Sequence, residues 1–141
     1  MKLRFYAVSL ALLFVVGGGK VSWGQKENSA DEKVPSQLEL NDEAGAEFAQ
    51  SDKALNTAYG ELMTTIEKCG PDFTTWKEKL RAAQRDWIKF RDSNCDYESA
   101  PLEGGQAWSM EYNGCRSSMT NERTRRLREM LDQFKDVNSC P

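Results

Sequence analysis

The sequence contains no histidine. It therefore has no His-based triad, no His metal ligand and no imidazole base titrating near neutrality. Cysteine is scarce, at positions 69, 95, 115 and 140 only, and no two have CxxC spacing. A structural zinc site needs closely spaced Cys and His ligands, so neither a metal nor any other cofactor is expected. The three glycines at 17–19 belong to the leader and form no phosphate loop. Long hydrophobic runs are missing as well. The longest, Phe5 to Val16, is a predominantly apolar run of twelve residues, against the roughly 20 needed to cross a bilayer. Paired carboxylates can hydrolyse a glycoside, but the acids here fall on exposed helix positions and one inter-helix segment. Nothing apolar surrounds them to raise a carboxyl pKa. These absences argue against an enzyme and for a binding module.

The apolar run follows Lys2 and Arg4 and precedes Ser22 and Gly24, small residues at signal-peptidase spacing. This pattern predicts a signal peptide over 1–24, cleaved near Gly24, and hence a periplasmic or secreted protein. No Cys lies near the cleavage site, so neither a lipid anchor nor any other stable membrane anchor is expected. Cleavage removes Lys2, Arg4 and Lys20 and no acids, leaving 19 − 3 = 16 basic against 22 acidic residues, a net charge of −6. That balance argues against nucleic acid, since neutralising phosphates takes an excess of Lys and Arg. It suits either a basic protein partner or simple solubility.

The mature chain of 141 − 24 = 117 residues fits one small domain. Residues 25–40 are polar, carry Pro35 and show no sustained period, so they read as a flexible leader to a domain over 41–141. Helix one is expected from Asn41, a capping residue followed by Asp42 and Glu43. Phe48, Leu55, Tyr59, Leu62 and Ile66 form its apolar face, and Gly70 with Pro71 ends it. Asp52 interrupts that stripe as either a solvated edge residue or a buried hydrogen-bonding group. Helix two starts near Asp72 or Thr75 and runs to about Cys95. Phe73, Trp76, Leu80, Ala83, Trp87 and Phe90 recur along it at spacings of 3, 4, 3, 4 and 3. Helix three spans Gln106 to Phe134. Its stripe is Trp108, Tyr112, Cys115 and Met119, resumed by Leu127, Met130, Leu131 and Phe134, with Arg123 and Arg126 near the seam. The prediction is an all-α, three-helix antiparallel bundle with a disulfide-stapled loop between helices two and three.

This topology constrains the cysteines. Cys69 and Cys140 fall at one end of an up-down-up bundle, and Cys95 and Cys115 toward the other. The pairing 95–115 with 69–140 therefore joins them without distorting the helices. Chain entropy assigns roughly 3 kcal/mol to the shorter loop and about 4.5 kcal/mol to the longer.

The stretch between Cys95 and Cys115 holds four acids, Asp96, Glu98, Glu103 and Glu111, and no Lys or Arg. Tyr97, Trp108 and Tyr112 lie among them. Aromatics give contact area at low entropic cost, and the acids supply a negative potential. Asp96, Tyr97, Glu98, Glu103, Trp108 and Glu111 are thus the candidate partner-binding residues. Trp108 and Tyr112 also suit a core role by period. Basic residues gather instead at Arg116, Arg123, Arg125, Arg126 and Arg128, interleaved with Glu122, Glu129 and Asp132, which reads as a solvated, salt-bridged helix face.

The segments DKALNTAY (52–59), LRAAQRDWIKFRDSNCDY (80–97), the glycines 104–105, Cys115 and MTNERTRRL (119–127) resemble the LprI-type lysozyme-inhibitor N-terminal domain family. The resemblance covers about residues 42–131. It implies that Asp52, Leu55, Asn56 and Tyr59 match a first motif. Gln84, Trp87, Phe90, Arg91, Asp92 and Cys95 match a second, and Cys115, Thr120 and Arg123 a third. These read mainly as framework, with Gln84, Arg91, Asp92 and Arg123 forming a charge-assisted network between helices two and three. Many members carry a Cys early in helix one, whereas AGAEFAQ (44–50) has none. The resemblance further implies an exported bacterial protein that blocks animal-type lysozyme, and the charge and aromatics of the loop make it the expected point of contact with so basic a partner. The alternative is a periplasmic envelope module that binds another protein and does not inhibit lysozyme.

Overall fold

Ser36 caps the first helix. Its hydroxyl accepts from the Glu39 backbone N–H, and the Glu39 carboxylate accepts from the Ser36 backbone N–H at 2.7 Å. This reciprocal capping box starts helix α1, Gln37–Lys68. The computed structural model describes residues 34–136 and Cys140, so the signal-peptide assignment for 1–24 lies outside the described residues. The helix starts four residues ahead of the expected Asn41, and residues 37–40, assigned above to the leader, are its first turn. Asn41 does different work, donating from Nδ2 to the Gln106 carbonyl at 2.9 Å and tying α1 to the chain ahead of the third helix. Cys69 caps α1. Gly70, with φ of 102°, then turns the chain where a side chain would be strained, and Pro71 follows.

A short 3-10 turn, Pro71–Phe73, leads into α2, Thr74–Ser99, and a second, Ala100–Leu102, leaves it. Helix α3 is Trp108–Asp136. Cross-contacts fix the directions. Gln37, Ser51 and the Asn56–Lys68 surface of α1 meet Met110, Ser117 and Leu131 of α3, so these two helices run parallel. Gln84, Arg91 and Cys95 of α2 meet Arg123, Thr120 and Cys115 of α3, so α2 runs against them. The fold is the up-down-up helical bundle expected from the sequence.

Leu55, Ala58, Leu62 and Ile66 of α1 and Leu127 and Leu131 of α3 form the buried core. Toward the other end, small polar residues take over on α3. Ser117, Thr120 and Thr124 are buried, and the Ser51 and Ser117 hydroxyls hydrogen-bond to each other at 2.9 Å. Thr124 donates to the Thr120 carbonyl at 2.8 Å, so its hydroxyl is satisfied inside the helix.

Helix α2 departs from its expected apolar stripe. Phe73, Leu80 and Trp87 pack against the core, but Trp76 and Phe90 are 46% and 57% exposed. The buried residues of α2 are Gln84, Arg91, Cys95 and Ser99. The face that α2 buries is therefore offset from the apolar stripe, and a polar line faces the bundle instead.

Disulfides Cys95–Cys115 and Cys69–Cys140 close the two ends. Replacing Ser36 by Ala should lower the unfolding free energy by about 1 kcal/mol. Urea denaturation measures this, and an unchanged midpoint would refute the early helix start.

Candidate functional site

The acidic stretch is mostly helical. Asp96, Tyr97 and Glu98 occupy the last turn of α2, while Trp108 and Glu111 occupy the first turn of α3. The loop expected between Cys95 and Cys115 thus reduces to residues 103–107 after the Ala100–Leu102 turn. Two glycines make so short a reversal feasible. Gly104 has φ of 75°, and a Cβ on Gly105 would come within 3.0 Å of the Leu102 carbonyl oxygen. Helix α2 continues beyond Cys95 along a buried face that the apolar period did not reveal, Cys95 and Ser99 lying four residues apart and both fully buried.

Asp96, Glu98, Glu103 and Glu111 are all exposed. None forms an ion pair among the described residues, and Glu98 accepts a hydrogen bond from Asn94 Nδ2 at 2.9 Å. Tyr97 is 79% exposed. Trp108 is partly buried and stacks on Tyr112 with ring centroids 4.9 Å apart and planes 10° from parallel.

Beneath this acidic end runs a column of alternating rings and guanidinium groups. The Arg116 guanidinium lies 5.0 Å from the Tyr112 ring and 3.7 Å from Phe48. Arg91 covers the same Phe48 at 5.0 Å and Trp87 at 5.4 Å. Arg123 lies 5.7 Å from Trp87. The column therefore reads Trp108, Tyr112, Arg116, Phe48, Arg91, Trp87, Arg123. Partly desolvated cation–π contacts contribute about 0.5–2 kcal/mol each.

Arg91 is the buried centre of the column. Its Nη1 reaches Asp52 at 3.2 Å and Thr120 Oγ1 at 3.1 Å, and its Nε donates to Asp92 at 2.9 Å. Asp52 is thus a hydrogen-bonding group and not a free edge residue. Arg116 Nε lies 3.3 Å from the same Asp92 oxygen but is buried without a well-directed hydrogen bond, so that contact is chiefly electrostatic. The four network residues named from the sequence fall into two sets. Arg91 and Asp92 form one, Arg123 and Gln84 the other, through a 3.0 Å bond from Arg123 Nε to Gln84 Oε1. Trp87 stands between them.

Phe48 and Arg116 were not identified as site residues. Phe48 was read as apolar face, and Arg116 was grouped with the solvated arginines. Arg125 and Arg126 do behave that way. They are exposed and paired with Glu122 and Glu129. The hydrogen bond from Arg125 holds the Glu122 carboxyl below its ordinary value and raises Arg125 in turn. Arg123 differs, because burial lowers its pKa. Among the described residues no cysteine is free, no acid-and-cysteine cluster could hold a metal, and no helix is long and apolar enough to cross a membrane.

The family model described as lysozyme inhibitor LprI matches residues 28–127. The chain belongs to the LprI family. The match spans the whole ring-and-guanidinium column together with the Cys95–Cys115 staple. An uncharacterized protein of Rhizobium meliloti (strain 1021) is 28% identical over 111 residues, covering 74% of this chain and 80% of that protein. The crystal structure of a DUF1311 family protein from Pseudomonas putida KT2440 superposes with a TM-score of 0.63 at 25% identity. It covers 70% of this chain and 96% of the other. Asp52, Trp87, Arg91, Asp92, Thr120 and Arg123, singled out above by resemblance, are members and partners of the column. Two closed disulfides in an LprI-family chain indicate an extracytoplasmic, oxidising compartment.

Truncating Arg91 to Ala removes the cation shared by Asp52 and Asp92 and leaves Asp92 only its poorly directed contact with Arg116. Both carboxylates are 39% exposed, so stability should fall by about 1.5–3 kcal/mol, the range for lost charged hydrogen bonds. Chemical denaturation reads this directly, and a loss under about 1 kcal/mol would show that the column does not hold the bundle.

Proposed function

We propose that this protein is an exported inhibitor of animal-type lysozyme that docks through its acidic aromatic end. The residues carrying the contact are Asp96, Tyr97, Glu98, Glu103, Trp108 and Glu111. The observation supporting this reading is the state of the four carboxylates, exposed, without internal cations, and in a stretch that has no Lys or Arg. Membership of a family described as lysozyme inhibitors gives the partner class. Animal-type lysozymes are strongly basic, so opposite fields accelerate encounter and fix orientation. The two helix ends, the glycine turn and the Cys95–Cys115 bond restrict the segment before binding, which reduces the entropy lost on docking.

Lysozyme turnover of peptidoglycan in the presence of the oxidised mature chain (residues 25–141) tests the proposal. Inhibition should weaken as salt shortens the Debye length from about 10 Å at 0.1 M. Replacing Asp96, Glu98, Glu103 and Glu111 by their amides should slow association at least about tenfold at low salt while leaving the melting temperature nearly unchanged. Full inhibition by that variant would remove the acidic end from the interface. No inhibition of any lysozyme by the unmodified protein would favour the envelope-module reading.

A further inference from the structure

Between α2 and α3, away from the acidic end, lies an open groove of about 460 Å³ lined by Trp87, Ser118, Met119, Glu122, Arg123 and Arg126. Its charged groups are unevenly satisfied. Glu122 is held by Arg125, and Arg126 by Glu129 at 3.2 Å. Arg123 has no carboxylate partner among the described residues. It differs in this from Arg91 and Arg116, the other arginines of the column. Its Nε is engaged by buried Gln84 and its guanidinium lies near the Trp87 ring, so the fork is oriented while neither Nη group has an acceptor among the described residues. A partly desolvated, pre-oriented guanidinium without a counter-ion suits bidentate recognition of a carboxylate.

One flank of α2 leads from the groove to the acidic end. Trp87, Phe90, Asn94 and Tyr97 follow one another at spacings of 3, 4 and 3, a single flank of α2. Trp87 lines the groove, Asn94 Nδ2 contacts Met119 of α3 at 3.6 Å, and Tyr97 belongs to the acidic end. Phe90, 57% exposed, sits between them. From Trp108 to Arg123 is roughly 22 Å along α3 at 1.5 Å per residue. A standard interface of about 800 Å² per partner is roughly 30 Å across, so one partner can cover both regions.

We infer that the Arg123 groove receives a carboxylate from the cleft of the bound lysozyme, while the acidic end engages that enzyme's basic surface. The inference rests on the lysozyme-inhibitor reading. Glycoside hydrolases of this type carry a pair of carboxylates in the cleft. An acidic end alone would be repelled by them, and Arg123 supplies the charge of opposite sign. Blocking would then come from occupation of the carboxylates themselves, with Phe90 and Tyr97 covering the contact from solvent.

The test is a double-mutant cycle read as Kd by calorimetry. Its arms are parent and Arg123→Gln inhibitor, each against native lysozyme and lysozyme with its cleft carboxylates replaced by amides. Arg123→Gln should weaken binding to native enzyme by about 30-fold or more. It should have little further effect on the amide enzyme, which the parent also binds more weakly. Arg123→Lys, which keeps the charge but loses the fork, should fall between. Equal affinity of the parent for both enzymes overturns the inference even if Arg123→Gln fails to fold. So does unchanged affinity of Arg123→Gln for native enzyme, and in both cases the inhibitor reading stands. Absence of any binding by the parent overturns both.

Discussion

A single buried guanidinium, that of Arg91, joins all three helices. It pairs with Asp52 on α1 and Asp92 on its own helix, donates to Thr120 on α3, and lies between the rings of Phe48 and Trp87. A cation this far from water is tolerable only when its charge and its donors are answered together. That demand explains why α2 presents a polar line to its neighbours. It also accounts for Thr120 in the middle of α3, where a leucine would remove the one Arg91 acceptor that this helix supplies. The leucine core at one end stabilises the bundle, and the Arg91 cluster sets the register in which the helices meet.

The same cluster links interior to surface. Rings and guanidinium groups alternate from Arg91 through Phe48, Arg116 and Tyr112 to Trp108, which stands at the start of α3 beside the acidic turn. The acidic end is therefore fastened twice, covalently by Cys95–Cys115 and non-covalently by the column. The family match spans this scaffold, and a fold shared with relatives does not by itself fix the chemistry of its surface.

The helices were legible because amphipathic periods, Gly70–Pro71 and the cysteine positions act locally. Helix α1 was the clearest, its stripe from Leu55 to Ile66 matching the buried residues. The start of α1 was missed because Ser36 and Glu39 lie in a polar stretch with no apolar period to announce a helix. Trp76 and Phe90 were assigned inward because they continue the apolar stripe, but the face that α2 buries is the neighbouring one with Gln84, Arg91, Cys95 and Ser99, and only packing reveals that offset. Phe48 and Arg116 could not be recognised as partners from one chain, since 68 positions separate them and nothing local couples them. Asp52 offered a signal, a carboxylate interrupting an apolar stripe, but its counter-ion lies on another helix.

The two disulfides are nested, 95–115 lying wholly inside 69–140. Nested rings close without either bond threading the other, so the order of oxidation carries no topological penalty. Loop-closure entropy nevertheless favours the inner ring first, because its sequence separation is 20 against 71. That ring fastens the α2–α3 hairpin early. The outer bond then joins the end of α1 to the chain beyond α3. A chain that reaches its oxidant unfolded needs two oxidising events and no prescribed sequence between them.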